Sequence, residues 1–185
     1  ILRPSGASLD LYVDSDFAGS WDPKIAAIDS STANSRHGYI LQYCGMPLLW
    51  ASQLQSICAL SSTEAEYVAL SRAVQDSLLC IRLLQEMKAI GYTVPTENTN
   101  VHCKVFEDNT GAIEIATVPK YRPRTKHINN RYHFFRSLVS VGDESDPEKP
   151  LSIHKQDTSE QPADILTKPL SGDPFNKHRF YIMGW

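Results

Sequence analysis

Short segments in which apolar and polar residues alternate are spread along the chain, and each predicts a β-strand. The first three such segments are residues 8–14, 38–44 and 48–52. Because the second and third are joined by a tight glycine-containing turn, these three strands are expected to form an antiparallel meander. Two further segments, 98–106 and 151–155, predict a fourth and a fifth strand.

Longer segments with apolar residues every three to four positions predict helices between the strands. The longest covers residues 62–90 and is followed by Gly91 and Pro95, which stop it. Four other helices are predicted at 109–117, 125–141, 159–167 and 175–183. This order predicts an α/β fold with a mixed five-stranded sheet and helices on both faces. Its first three strands are antiparallel, and its fourth and fifth run parallel to the first.

The length of 185 residues fits one domain, residues 1–185, with a core at about 8–170 and a C-terminal helical tail at about 171–185. A membrane span is not expected, since the sequence has no run of 18 apolar residues. The first residues do not have the layout of a signal peptide and lack an initiator Met, which indicates that the chain derives from a larger polypeptide. The four cysteines are dispersed, which favours reduced structural thiols and an intracellular setting.

Charge is unevenly distributed along the chain, although the net charge is only −3. No acidic residue occurs between Glu114 and Asp143. Basic residues and histidines are concentrated there: Lys120, Arg122, Arg124, Lys126, His127, Arg131, His133 and Arg136. A basic strip on a mildly acidic protein is typical of phosphate contact, while a solvated helix face explains it equally well.

One acidic residue of the long helix lies on that helix's apolar face. Glu66 shares its face with Ala69, Leu70 and Ala73 by helical spacing. A carboxylate in that position is costly to desolvate unless something pairs with it. Glu64, by contrast, is predicted to be a surface acid that favours the helix N-terminus.

Four acids are expected near the ends of predicted strands or the starts of helices. Asp14 ends the first strand, Glu66 lies in the first turn of the long helix, Asp108 ends the fourth strand, and Asp164 lies in the helix after the fifth. Sites in open α/β sheets form at the carboxyl ends of strands, where converging acids need a counter-charge such as Mg²⁺ or Mn²⁺. Each acid alone also has an ordinary interpretation, as a turn residue, helix cap or surface acid, and Asp16 remains an alternative to Asp14.

Five segments together resemble the RNase H domain of copia-type LTR retrotransposon polyproteins, in that family's order and across residues 9–184. They are Leu11-Tyr-Val-Asp-Ser-Asp-Phe-Ala-Gly19, Ala59-Leu-Ser-Ser-Thr-Glu-Ala-Glu-Tyr-Val-Ala-Leu70, Glu107-Asp-Asn-Thr-Gly-Ala-Ile113, Arg124-Thr-Lys-His-Ile-Asn-Asn-Arg-Tyr-His-Phe-Phe135 and Gln161-Pro-Ala-Asp-Ile-Leu-Thr-Lys-Pro-Leu170.

The resemblance implies an RNase H-like fold and an endoribonuclease that cleaves the RNA strand of RNA–DNA hybrids with two Mg²⁺ or Mn²⁺ ions. It implies that Asp14, Glu66, Asp108 and Asp164 are the catalytic acids and metal ligands, with Asp14 favoured over Asp16. It also implies a polymerase domain of the same polyprotein as partner and a cytoplasmic location in virus-like particles.

Contact with the hybrid backbone is expected at Asn109 of the third motif, at Arg124, Lys126 and Arg131 of the fourth, and at Arg122 just before it. His133 is expected to be a core residue. One alternative is a degenerate RNase H-like module that binds nucleic acid or supports a polymerase without cleaving. An integrase-like enzyme is a further alternative, which typically uses three acids at a different spacing. Fold alone does not separate these functions.

Overall fold

Five strands form one mixed sheet in a computed structural model of the protein, which describes residues 4–118, 130–142, 144 and 146–183, with only the backbone at 130 and 131. The strands are β1 (Leu9–Asp16), β2 (Arg36–Tyr43), β3 (Met46–Leu54), β4 (Cys103–Glu107) and β5 (Leu151–Lys155). Their order across the sheet is β3-β2-β1-β4-β5. β1, β2 and β3 pair antiparallel, while β4 pairs parallel with β1 and β5 parallel with β4. The predicted fold class is confirmed.

Within the described ranges, four α-helices accompany the sheet: α1 (Ser62–Ala89), α2 (Thr110–Thr117), α3 (Asp164–Thr167) and α4 (Gly172–Met183). The described residues also form 3₁₀ helices at Ser30–Ala33, before α1, and at Asn130–Leu138 and Thr158–Glu160, between α2 and α3. None of the helices in the described ranges is both long and apolar enough to cross a membrane. All four cysteines are free thiols, as predicted.

The strand residues divide between the two faces of the sheet by strict alternation. On one face, Leu9, Leu11 and Val13 of β1 join a core cluster with residues of α1 such as Tyr67 and Leu70. On the other face, the Tyr12 ring stacks on Phe106, and its hydroxyl lies 2.8 Å from that of Tyr181 in α4. The sheet therefore lies between α1 on one side and α3 and α4 on the other.

Three predicted elements differ from the structure. The expected helix at 125–141 is, in its described part, a 3₁₀ helix over Asn130–Leu138. The expected helix at 159–167 is two short pieces, because Pro162 lies between the 3₁₀ turn and α3. The fourth strand begins at Cys103 rather than near residue 98, because pairing with β1 and β5 starts only there.

Candidate active site

Three of the predicted acids meet at one edge of the sheet. Asp14 comes from β1, Glu66 from α1, and Asp108 directly follows β4. One carboxylate oxygen from each lies within 4.8 Å of the other two. These residues are separated by about 40 to 50 positions in the chain, so only the fold brings them together. This group is called the acid cluster below.

The acid cluster lies where β1 and β4 separate. Their parallel pairing ends at Tyr12 and Phe106, one residue before Val13 and Glu107. The buried Gln161 side chain bridges the gap, since its Nε2 donates to the carbonyl of Val13 at 2.9 Å and to that of Phe106 at 3.3 Å. β2 lies on one side of β1 and β4 on the other, so this is a switch point of the sheet, where ligands of α/β proteins bind.

Asp14 is an interior residue of β1 and is 1% exposed, whereas the sequence had placed it at the end of that strand. The strand continues to Asp16 because its pairing with β2 extends to Arg36. Asp16 is not a member of the acid cluster. Its carboxylate occupies the space that a side chain at residue 19 would fill, because a Cβ on Gly19 would come within 1.7 Å of it. The geometry therefore favours Asp14 of the two.

Glu66 is held in place by the start of α1. The Ser61 side chain accepts a hydrogen bond from the Glu64 N–H at 3.1 Å, and the Glu64 carboxylate accepts one from the Leu60 N–H at 2.7 Å. This reciprocal cap fixes where the helix begins, and thus where Glu66 points. The prediction that Glu64 is a surface acid was wrong, since it is 5% exposed and serves in this cap.

Asp108 is not the cap of α2, which was its ordinary interpretation. That role belongs to Asn109, whose Oδ1 accepts from the Ala112 N–H at 3.0 Å and from the Thr63 hydroxyl at 3.4 Å. Asp108 instead accepts a hydrogen bond from the Thr158 hydroxyl at 2.7 Å. The Asp108 carboxylate is thus directed away from the helix start and into the acid cluster.

Asp164 lies beside the acid cluster rather than within the 4.8 Å group. The Lys168 ammonium links it to Asp14, at 2.9 Å from Asp164 Oδ1 and 3.2 Å from Asp14 Oδ1. The Thr167 hydroxyl donates to the other oxygen of Asp14. α3 therefore supplies an acid, a cation and a hydroxyl around Asp14.

Burial and mutual repulsion strongly affect the protonation of these acids. Burial, followed by the charges of Glu107, Asp14 and Asp108, raises the pKa of Glu66 well above its usual range. Burial and the charge of Asp14 raise the pKa of Asp164 to about 6. Burial by itself lowers the pKa of Lys168, but the charges of Asp14 and Asp164 outweigh this and leave it raised.

Glu107 is a fifth buried acid at this edge and was not singled out from the sequence. It is 0% exposed, and its Oε1 accepts a hydrogen bond from the Asn109 N–H at 3.0 Å. Burial is the main cause of the raised pKa of Glu107, and the charges of Asp108 and Asp14 add to it. No sequence signal separates Glu107 from an ordinary strand residue, because its burial depends on β5 and α1 packing around it.

The donor set suits a hard divalent cation. All its ligand atoms are carboxylate oxygens, which Mg²⁺ and Mn²⁺ prefer. Glu66 Oε2 is buried and has no hydrogen-bond partner within the described residues, although buried oxygens are normally paired. A cation at the acid cluster would supply that partner and offset the repulsion that raises the pKa of Glu66.

Most of the residues predicted to contact nucleic acid lie outside the part of the chain that the structure describes. Arg122, Arg124 and Lys126 lie outside the described residues, and so does the side chain of Arg131. Asn109 is described and caps α2 next to the acid cluster. His133 accepts or donates a hydrogen bond at 2.8 Å from the Tyr67 hydroxyl through Nδ1, which fits a packing role.

Two residues that matter at this edge were missed by the sequence reasoning. Gln161 and Lys168 both stand in the last of the five motifs, so the motif pointed to their segment without revealing their roles. For Lys168 a signal existed, because a residue four positions after Asp164 lies on the same helical face. For Gln161 none existed, since its partners are carbonyls of two distant strands.

Comparison with known proteins supports the same fold and origin. No protein-family model matches the chain. Two solved structures share its fold at low identity, and both are described as RNase H proteins. The first is the N-terminal RNase H domain of rv2228c from Mycobacterium tuberculosis, fused to maltose-binding protein. It is 11% identical in sequence, the alignment covers 94% of this chain and 96% of that chain, and the TM-score is 0.53. The second is LC11-RNase H1, isolated from compost. It is 16% identical, the alignment covers 86% of this chain and 92% of that chain, and the TM-score is 0.55. The fold is that of the RNase H class.

Curated sequences specify the relationship further. The retrovirus-related Pol polyprotein from transposon TNT 1-94 of Nicotiana tabacum is 36% identical over 167 residues, 89% of this chain. The polyprotein from transposon RE1 of Arabidopsis thaliana is 34% identical over 168 residues, 91% of this chain. The chain spans about 10% of the length of each of these relatives. It is homologous to one segment of the retrovirus-related Pol polyproteins of plant transposons, which confirms the resemblance inferred from the five motifs.

Proposed function

We propose that this chain is the ribonuclease H domain of a retrotransposon reverse transcriptase and hydrolyses the RNA strand of RNA–DNA hybrids. The acid cluster carries this proposal, because three carboxylates from three separate elements meet within 4.8 Å at the switch point of the sheet. The RNase H-like fold and the homology to Pol polyproteins support the same substrate class.

Asp14, Glu66, Asp108 and Asp164 would hold two divalent cations. When bound, such ions activate water and stabilise the charge that develops on the scissile phosphate and the leaving oxygen. The rest of the chain contributes by orienting the ligands. Thr158 fixes one oxygen of Asp108, and Lys168 keeps Asp14 and Asp164 close although both are acids.

A cleavage assay on a strand-labelled RNA–DNA hybrid tests the proposal. With Mg²⁺ or Mn²⁺, the wild type is expected to shorten the RNA strand only. Asp108→Asn is expected to reduce the rate by about 100-fold or more, because loss of a metal ligand removes several kcal/mol of transition-state stabilisation. Asp173→Asn, at an exposed acid of α4, is the matched control and should retain full activity.

The alternative is a degenerate module that binds nucleic acid or supports a polymerase without cleaving. Binding of the hybrid by a folded wild-type protein that cuts neither strand in either metal would contradict the hydrolase proposal and favour the module. A polymerase domain of the same polyprotein remains the proposed partner, and its addition to the assay controls for weak activity of the separate domain. The location in cytoplasmic virus-like particles stays a prediction.

A further inference from the structure

A cavity of about 530 Å³ lies on the α1 face of the sheet. Its walls come from the start of β2, the residue after β3, the first half of α1 and the 3₁₀ helix Asn130–Leu138. The side chains used below are His37, Gln55, Arg72, Tyr132 and Phe134. The volume falls within the range of about 300–1,000 Å³ that is usual for small-ligand sites. This space is called the His37 cavity below.

Two polar side chains of the His37 cavity are buried and incompletely paired. His37 is 5% exposed, and neither of its ring nitrogens has a hydrogen-bond partner in the part of the chain that the structure describes. Gln55 is 3% exposed, and its Oε1 also has no partner among the described residues. Leaving such atoms without partners is costly, and native proteins rarely do so without a reason. Three orphaned atoms around one cavity indicate that something else supplies the missing hydrogen bonds.

The charges around the cavity favour an uncharged ligand. Burial and the neighbouring Arg72 lower the pKa of His37, so its ring is neutral and offers one donor and one acceptor. Arg72 itself is paired with Asp76, at 3.0 Å between Nε and Oδ2. The carboxylate of Asp76 also accepts a hydrogen bond from the Tyr39 hydroxyl at 2.7 Å. The charge of Arg72 is thus partly neutralised by Asp76, and the neutral His37 ring adds no further positive charge to the cavity.

The required ligand is thus neutral, has donors and acceptors on one edge, and has a flat apolar surface for the aromatic wall. Phe134 is 39% exposed and Tyr132 adjoins it, so a planar ring can stack there. Nucleobases have all these properties. From this geometry we propose that the His37 cavity binds a single unstacked nucleobase, with its polar edge on His37 and Gln55 and its face on Phe134.

The cavity and the acid cluster share helix α1. Gln55 Nε2 donates to the carbonyl of Ala65 at 2.8 Å and to the Ser15 hydroxyl at 3.4 Å. Ala65 directly precedes Glu66 in α1, so the helix that lines the cavity also carries one member of the acid cluster. Ser15 lies on the same face of the sheet as His37, whereas Asp14 points to the opposite face, towards Thr167. Because bases inside a duplex are stacked and paired, the base would come from a single-stranded overhang of the hybrid or from a free nucleotide. The proposal goes beyond hybrid hydrolysis and does not require it.

The first experiment titrates wild-type protein in EDTA with AMP, GMP, CMP and UMP, followed by calorimetry and by NMR of the His37 and Phe134 signals. At least one nucleotide is expected to bind at millimolar concentration and shift those signals. Phe134→Ala is expected to weaken binding by about tenfold, since stacking on an aromatic side chain contributes on that order. Phe175→Ala is the matched control, because Phe175 is similarly exposed, at 38%, but lies on α4.

His37→Phe separates a binding role from a structural one. It removes both unpaired nitrogens and keeps a flat ring of similar size, so thermal unfolding should show a protein at least as stable as the wild type, while nucleotide binding should be lost. Absence of binding by all four nucleotides, or equal binding by the Phe134→Ala and Phe175→Ala proteins, would overturn the proposal.

A second experiment distinguishes the source of the base. In EDTA, which prevents cleavage, a hybrid with a single-stranded overhang is compared with a blunt hybrid. Tighter binding of the overhang, lost in His37→Phe, assigns the pocket to the substrate strand. Nucleotide binding without an overhang preference assigns it to free nucleotides. Cleavage of the blunt hybrid with Mg²⁺ is measured separately, so failure of the hydrolase proposal remains distinguishable from failure of this one.

Discussion

Ionisation of individual buried acids destabilises the folded state of the metal-free protein. The pKa values of Glu66, Glu107 and Asp164 are all raised, that of Asp164 to about 6. Compared with the unfolded chain, the folded state therefore holds extra protons between the unfolded values, at about 4, and the folded values. Stability is greatest at the acidic end of that window and falls as the pH rises through it.

We therefore expect metal-free protein to unfold at a lower temperature at pH 8 than at pH 5, measured in EDTA. Glu107→Gln should flatten this dependence and raise the melting temperature at pH 8, since each unit of pKa shift corresponds to about 1.4 kcal/mol. Glu148→Gln, at an exposed acid, should leave it unchanged. An identical slope in the Glu107→Gln protein would show that this carboxyl is not a source of the instability.

Lys168 is the residue that allows Asp14 and Asp164 to lie close together. Replacing it by Met should destabilise the metal-free protein at pH 8 by about 1–2 kcal/mol, a value reduced for the partial exposure of the ion pair. Lys177→Met is the matched control, because Lys177 pairs with Glu160 on the surface. Urea unfolding in EDTA measures both. Equal losses in the two variants would contradict a special role for Lys168.

At the scale of elements, the approach of α3 to β2 determines whether Thr167 and Lys168 reach Asp14. Gly38 is paired with Asp14 across β1 and β2. A Cβ on Gly38 would lie 2.8 Å from Leu166 Cβ and 2.8 Å from Thr167 Cγ2. Since helix and sheet are both rigid at this point, a side chain there would push α3 away from the sheet.

Gly38→Ala is therefore expected to lower stability by about 1–3 kcal/mol, as overpacked core positions do, and to lower hybrid cleavage more than hybrid binding. Thermal unfolding, filter binding and the cleavage assay measure the three effects. Ser52→Ala tests the opposite side of the same contact, because the Ser52 hydroxyl donates to the Leu166 carbonyl at 2.5 Å. Full activity and stability in Gly38→Ala would mean that α3 can shift without cost.

At the scale of the whole molecule, charge is unevenly distributed along the sequence: the acid cluster lies at one edge of the sheet, and basic residues are concentrated in the strip between Glu114 and Asp143. The strip carries no acid between Glu114 and Asp143. If it contacts the phosphates of the hybrid, its binding should depend on salt through counterion release.

Changing Arg122, Arg124 and Lys126 together to Glu should weaken hybrid binding and make its dependence on salt less steep. Each lost phosphate contact is expected to reduce the slope of log affinity against log salt by roughly one unit. Binding isotherms in EDTA at several salt concentrations give the slope. The triple change Arg122, Arg124 and Lys126 to Gln separates loss of contact from added repulsion. A slope equal to that of the wild type would rule out a phosphate-binding role for these three residues.

Much of the fold was determined by local sequence. The alternation that predicted β1 and β2 and the capping residues that start α1 act through nearest neighbours, so they can be read without a structure. The α-helix expected at 125–141 is a 3₁₀ helix in its described part. Residues such as Phe135 are buried against α1, and that packing, not helical propensity, determines the local backbone. The prediction that Glu64 is exposed was wrong for a similar reason, since its burial depends on the turn before the helix.

The sequence by itself singled out Asp14, Glu66 and Asp108, which the fold brings together, because their motifs are contiguous and a carboxylate on an apolar helix face is costly wherever it occurs. It could not determine what surrounds them. That Asp108 is free of the α2 cap, that Lys168 links Asp14 to Asp164, and that Gln161 fills the gap between β1 and β4 all depend on contacts between residues 50 to about 150 positions apart. Such contacts follow from the register of the strands and the approach of α3, which only tertiary packing decides.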